Sequence, residues 1–307
     1  MNNELIVILG PTAVGKTKIS LDLAEKFNGE IISGDSRLFY RGMDIGTAKP
    51  SHIDLAKIKH HLVDVSDPDE NWSLAVYQNA AYAAIDEINS KGKIPFLVGG
   101  TGQYLKAVYQ GWKIPQVKPN TELRLALEKW ANEIGVVGLY ERLVSIDPDA
   151  GEFIEPNNLR RTIRAFEVIL CTGRKFSSTR TLVGTAYNTL ILGLTMPRKE
   201  LFNRIDLRIT LMIDNGFIDE VRSLMLKGYS PALPSFSTIG YRQIANYING
   251  EISLDDAIML IKRLSRKLVR RQANWFKMDD PEIKWFQSND KLLYSMSEEI
   301  KKFLNQI

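Results

Sequence analysis

The eight residues Gly10-Pro11-Thr12-Ala13-Val14-Gly15-Lys16-Thr17 carry the spacing G-x-x-x-x-G-K-T, which suits the cradling of phosphate oxygens. Two glycines let successive backbone N–H groups converge on an anion, Lys16 adds a point charge, and the Thr17 hydroxyl is a candidate ligand for Mg²⁺. The ligand this predicts is a diphosphate or a nucleotide. A second chemical group is Asp35, at the end of Glu30-Ile31-Ile32-Ser33-Gly34-Asp35, where a carboxylate could hold Mg²⁺ through water or accept a proton as general base. A third is Thr101 in Val98-Gly99-Gly100-Thr101-Gly102, whose hydroxyl could hydrogen-bond a substrate.

Such residues need strands to deliver them to one place. Residues 4–9 form an apolar, β-branched run ending at Gly10, and from Thr17 to Phe27 the residues Ile19, Leu21, Leu23, Ala24 and Phe27 recur at roughly helical spacing. A strand therefore leads into the phosphate loop and a helix leads out, aiming its N-terminus at the bound anion. Apolar runs recur at 5–9, 31–33, 62–65, 96–98 and 190–194 with helical patterns between most of them, which predicts a parallel sheet. Ligands of such sheets gather at the carboxyl ends of the strands, so Gly10, Asp35 and residues 99–102 are expected on one rim. From 118 to 179 the strand pattern stops and helical segments follow at 123–134, 138–146 and 159–170; helical patterns return at 199–226, 240–248, 254–275 and 290–303. The fold expected is an α/β sheet of P-loop NTPase type flanked by helices, with an all-helical insertion. Its core is 1–117 and 183–307, and its insertion is 118–182.

Composition narrows the class. A chain of 307 residues with 44% hydrophobic content can bury a full core. No stretch is long and apolar enough to cross a bilayer, and Met1-Asn2-Asn3-Glu4 has no basic-then-apolar leader, so a cytoplasmic address and no membrane partner are expected. Cys171 is the single cysteine; it excludes an internal disulfide and a Cys-rich zinc site and reads as a packing residue. His52, His60 and His61 lack the carboxylate spacing of a metal centre. The net charge of +4 is modest but uneven. Lys262, Arg263, Arg266, Lys267, Arg270 and Arg271 share one helical segment, and Arg160, Arg161, Arg164, Arg174 and Lys175 form a second cluster interrupted by Glu167. Both suit a polyanion.

The chain lacks the Asn-Lys-x-Asp guanine reader of GTPases and the apolar strand ending in Asp-Glu of motor ATPases. The residues by themselves leave a transferase, a small-molecule or nucleoside kinase, and an RNA-binding module that senses ATP or another nucleotide.

Longer matches narrow this choice. The P-loop, Asp35-Ser36 through Tyr40-Arg41-Gly42-Met43-Asp44-Ile45-Gly46-Thr47-Ala48-Lys49-Pro50, and Val98-Gly99-Gly100-Thr101-Gly102 are joined by Arg164-Ala165-Phe166-Glu167-Val168, Gly240-Tyr241-Arg242, and Arg271-Gln272 followed by Trp275-Phe276. With these segments the chain resembles the bacterial tRNA dimethylallyltransferases over nearly its whole length. The resemblance implies transfer of a dimethylallyl group from dimethylallyl diphosphate to N6 of the adenosine at tRNA position 37, with Mg²⁺ as cofactor and no obligate protein partner. It implies Asp35 as the base that removes the amine proton, and Arg208, which matches a family arginine, beside the diphosphate. Asp35, Ser36, Arg37, Leu38 and Thr101 would meet the extruded base. Arg124, Arg160, Arg161, Arg164, Arg266, Arg270 and Arg271 would hold the anticodon stem-loop through phosphates, and Tyr241 and Arg242 would add stacking and hydrogen bonds. Two departures stand out: Leu38 replaces a glutamine found in many members, and Ser265, Val269 and Arg270 replace the usual threonine, alanine and lysine.

Overall fold

A computed structural model describes residues 3–115, 117–179 and 184–305 of the chain. Strand β1 (Glu4–Leu9) is buried at every residue, which requires a central strand covered on both faces. It pairs in parallel with β4 (Ile94–Gly99) on one side and β5 (Asn188–Thr195) on the other. Beyond β4 lie β2 (Gly29–Ser33) and β3 (His60–His61), and beyond β5 lies β6 (Ile283–Gln287). The order β3-β2-β4-β1-β5-β6 is parallel throughout, so the fold is the α/β sheet that the alternation of patterns predicts.

The chain divides into two compact units, one of Met1–Tyr109 with Thr185–Ile307 and one of Gln110–Gly184. The expected boundary at 182/183 falls outside the described residues. In the first unit, α1 (Lys16–Lys26), α2 (His52–Lys57), α3 (Leu74–Ser90) and α4 (Gly102–Tyr109) accompany the early strands. The strand period of two sorts β1: Ile6 and Ile8 face the core made with α1 and the late helices, while Leu5, Val7 and Leu9 face Tyr77, Ile85 and Leu105 of α3 and α4. Each such buried aliphatic side chain contributes about 1.5–3 kcal/mol relative to exposure. The second unit packs α5 (Thr121–Ile134), α6 (Val136–Ile146) and α7 (Leu159–Thr172) around Leu127, Leu139, Leu143, Ile163 and Phe166. The first unit resumes with α8 (Arg198–Asp214), α9 (Phe217–Leu226), α10 (Tyr241–Ile248), α11 (Leu254–Trp275) and α12 (Leu292–Leu304).

Register brings the functional loops level. Leu9 pairs with Gly99 and Gly193, and Ser33 pairs with Val98. The loops after β1, β2 and β4 consequently leave the sheet at one height. The Gly34 N–H donates to the Val98 carbonyl at 2.7 Å, and a Cβ on Gly99 would lie 2.6 Å from the Gly34 backbone, so only glycine permits this approach.

The structure departs from the expected pattern at four points. The run 62–65 is not a strand: Leu62 and Asp64 have φ of 61° and 54°, outside the extended region, and the strand is the preceding pair His60–His61. Strand β6 had no expected counterpart. The helical pattern expected over 199–226 is carried by two helices, divided at Gly216 with φ of 93°. Cys171 is exposed near the end of α7 and does not pack in the core.

Candidate functional site

The loop between β1 and α1 turns through Gly10, Ala13 and Gly15, with φ of 152°, 68° and 106°. Lys16 begins α1 and reaches back across this loop, its Nζ donating to the Gly10 carbonyl at 3.0 Å and the Pro11 carbonyl at 2.8 Å. Burial lowers the pKa of this ammonium to about 8; Asp35 acts to raise it and Arg208 to lower it further. Asp35 caps the short 3₁₀ turn Ser36–Phe39, its Oδ1 accepting from the Arg37 N–H at 3.1 Å, while its own N–H donates to Ser33 Oγ at 3.2 Å. Both bonds fix the carboxylate at the end of β2. Arg208 extends from α8, and its Nη2 donates to the Thr47 carbonyl at 3.2 Å. Burial depresses its pKa, with Asp35 raising it and Arg37 lowering it, so three cations and one carboxylate share this region.

Thr12, Lys16, Thr17, Asp35 and Arg208 line one cavity of about 430 Å³, together with Arg37 and Leu38. That volume is within the range of small-ligand sites. One stretch of the remaining wall is apolar. Ile205, Ile209 and Met212 face it from α8, Leu268 and Ile261 from α11, and Phe217 and Ile239 from the segments between. On α8 the pairs Arg204/Ile205 and Arg208/Ile209 repeat at one helical turn, setting cations beside aliphatic groups. The arrangement suits a ligand with a polyanionic head and a hydrocarbon tail.

Of the remaining expected residues, Gly10, Pro11 and Val14 shape the loop, Val14 being buried beneath it. Thr101 precedes α4, where its carbonyl accepts from the Tyr104 and Leu105 N–H groups, and Ser36 is hydrogen-bonded to the Tyr104 hydroxyl; neither lines the cavity. Arg242 is exposed in the first turn of α10, and Arg270 and Arg271 are exposed on α11. Arg266 pairs with Asp206 and lies over the Phe202 ring at 5.5 Å. In the second unit, Arg160 and Arg161 are exposed at the start of α7. Arg124 and Arg164 instead grip Glu167, whose carboxylate also accepts from the Asn120 N–H at 2.7 Å. Burial alone would raise the Glu167 pKa, but Arg124, the Asn120 N–H and Arg164 hold it at about 2. Tyr241 is buried with its ring edge-on to Phe217, which corrects the expectation that it stacks on a base.

Two participants carried no assigned role in the sequence reading. Gln272 of α11 is buried; its Oε1 accepts from the Thr12 N–H at 3.0 Å, and its Nε2 donates to the Gly100 carbonyl at 3.0 Å. It ties the phosphate loop to the loop after β4. The motif Arg271-Gln272 was the available signal. The apolar wall also went unassigned, because its helical spacing is that of ordinary core.

The IPP transferase family model matches residues 38–279 of this chain. A tRNA dimethylallyltransferase of a Roseiflexus species is 52% identical over 273 residues, spanning 89% of this chain and 90% of that protein. The chain belongs to this family. A further family relative, from Dehalococcoides mccartyi, is 42% identical over 300 residues, covering 98% of this chain and 92% of its own. Among solved structures, the tRNA isopentenylpyrophosphate transferase from Bacillus halodurans is similar with a TM-score of 0.74 and 40% identity, covering 99% of this chain and 98% of that one. A eukaryotic dimethylallyltransferase captured acting on tRNA gives a TM-score of 0.85 at 28% identity, covering 99% of this chain and 80% of its own. The kinase and nucleotide-sensing alternatives gain no support from these relatives.

Proposed function

We propose that the chain is a tRNA dimethylallyltransferase that moves the dimethylallyl group of dimethylallyl diphosphate onto N6 of the adenosine at tRNA position 37. The observation that carries this reading is the single cavity in which a P-loop, the Asp35 carboxylate and Arg208 meet an apolar wall. The diphosphate head fits the P-loop N–H groups, Lys16 and Arg208, and the prenyl carbons fit the aliphatic side chains of α8 and α11. In the reaction the N6 lone pair attacks C1 of the prenyl group as the C1–O bond breaks, and the bonding electrons leave with diphosphate. Lys16 and Arg208 stabilise the charge that accumulates on the leaving oxygens. Asp35 accepts the N6 proton, a contribution of about 10²–10⁴-fold for a positioned base.

Thr17 and Asp35 bring hard oxygen donors to one cavity, a chemistry that fits Mg²⁺: the Thr17 hydroxyl would ligate it and the Asp35 carboxylate would hold it through water. No cluster of three His, Cys, Asp or Glu occurs among the described residues, which agrees with a cation bound chiefly by phosphate and water. When bound it would neutralise part of the diphosphate charge. Phosphate contacts from Arg160, Arg161, Arg242, Arg266, Arg270 and Arg271 would hold the anticodon stem-loop, with Arg124 and Arg164 contributing the charge left over from Glu167. Ser36, Arg37, Leu38 and Thr101 would meet the extruded adenine.

The test is incubation of the full chain with Mg²⁺, dimethylallyl diphosphate and unmodified tRNA bearing adenosine at position 37, followed by nucleoside mass spectrometry. Adenosine heavier by one five-carbon prenyl unit is expected. Unmodified adenosine there, together with ATP turnover in a parallel incubation supplied with ATP, would instead restore the kinase reading.

A further inference from the structure

Part of the cavity wall is the loop over residues 43–50, which supplies Gly46, Thr47, Ala48 and Pro50 to the lining. This loop belongs to no helix or strand; the Ala48 and Lys49 N–H groups turn back to the Ile45 and Asp44 carbonyls, and others need partners from elsewhere. Three consecutive ones find the same side chain. The N–H groups of Asp44 and Ile45 donate to Glu220 Oε2 at 2.9 and 2.7 Å, and that of Gly46 donates to Glu220 Oε1 at 3.2 Å. Glu220 is itself held, because the buried Tyr241 hydroxyl donates to its Oε1 at 2.6 Å. The next residue, Thr47, offers the carbonyl that accepts from Arg208 Nη2. Gly46 is pressed on the same support: a Cβ there would come within 2.2 Å of the Phe217 ring.

We infer that Glu220 is a positioning residue that sets the orientation of Arg208 by clamping the 44–46 backbone and thereby aiming the Thr47 carbonyl. A carboxylate accepting three backbone N–H bonds makes strong, charge-assisted contacts, and nothing neutral of the same size would satisfy all three donors. Removing the charge frees Thr47 to shift, and the enclosed guanidinium loses the acceptor that fixes its fork. The far end of the loop has its own anchor in Lys49, which donates to the Tyr40 carbonyl at 3.0 Å and pairs with Asp44 and Asp64. The effect of losing Glu220 is therefore local.

This inference rests on the prenyl-transfer reading, and the experiment separates the two. Single-turnover rates with dimethylallyl diphosphate, Mg²⁺ and unmodified tRNA are measured for the unsubstituted chain, Glu220→Gln, Arg208→Ala and the double variant. Glu220→Gln should slow transfer about tenfold alone, yet by less than about twofold when Arg208 is already alanine, because the two act as one unit. A tenfold loss in both backgrounds, or no loss in either, overturns the inference. Tyr241→Phe, which keeps the ring and removes only the hydroxyl, should show the same dependence on Arg208 with a smaller loss; an equal loss in both backgrounds counts against it. If the unsubstituted chain transfers no prenyl group, the transfer reading fails, and the clamp is read from amide hydrogen exchange. Exchange at residues 44–46 at least about tenfold faster in Glu220→Gln supports it, and unchanged exchange overturns it.

Discussion

At the scale of single residues, burial brings the Lys16 ammonium to about 8, with Asp35 raising it and Arg208 lowering it, so its charge changes close to neutral pH. A bound diphosphate favours the protonated form, so the complex holds a proton that the free chain loses as pH rises past about 8. Donor affinity should be level below that pH and fall above it, by at most about tenfold per pH unit. Calorimetric titration of donor from pH 6.5 to 9.5 checks the slope, and Lys16→Ala should weaken binding and abolish the pH dependence. Glu167 has the opposite sign: its folded pKa is depressed from 4.5 to about 2, so the stability it contributes is present above pH 4.5 and lost as pH falls toward 2. Glu167→Gln should remove that acid dependence in thermal unfolding. Lys16 and Asp35 were legible in sequence because contiguous or strand-end motifs carry them. Glu220 was not, since the amides it clamps lie 174 to 176 residues away.

At the scale of elements, the site depends on a late helix meeting two early loops. Gln272 of α11 satisfies the Thr12 N–H and the Gly100 carbonyl together. Gln272→Leu leaves the buried Gly100 carbonyl and the half-buried Thr12 N–H without this partner, and about 1–3 kcal/mol of stability should be lost in denaturant unfolding, with weaker donor binding. A change below a few tenths of a kcal/mol would show that the loops hold each other unaided. Element type was readable wherever periodicity ran long, as over α11. It failed where local conformation and pattern diverged: Leu62 adopts positive φ, which an apolar β-branched neighbourhood does not announce, and the five residues of β6 are too few to show a period. The cavity's apolar wall was unreadable for a related reason, since Ile205 and Ile209 have the same spacing whether they face a core or a ligand.

At the scale of the whole molecule, positive charge occurs in both compact units, but the arginines differ in freedom. Arg124 and Arg164 are committed to Glu167, whereas Arg160 and Arg161 are exposed. The double substitution Arg160→Ala with Arg161→Ala should weaken tRNA binding at unchanged melting temperature and flatten the dependence of log affinity on log salt by roughly 0.7–0.9 per lost phosphate contact. Arg124→Ala should instead lower the melting temperature, because it leaves a buried carboxylate with half its guanidinium support. Titrations of tRNA at several salt concentrations, paired with thermal unfolding, separate the two classes.

The most direct test of the account is a single-turnover comparison of the unsubstituted chain with Asp35→Asn, following diphosphate release and prenylated adenosine in the same sample. Expected is one diphosphate per prenylated adenosine, with Asp35→Asn forming product about 10²–10⁴-fold more slowly when donor and tRNA are saturating. Product formation by Asp35→Asn at the unsubstituted rate, or diphosphate released without modified adenosine, would contradict it.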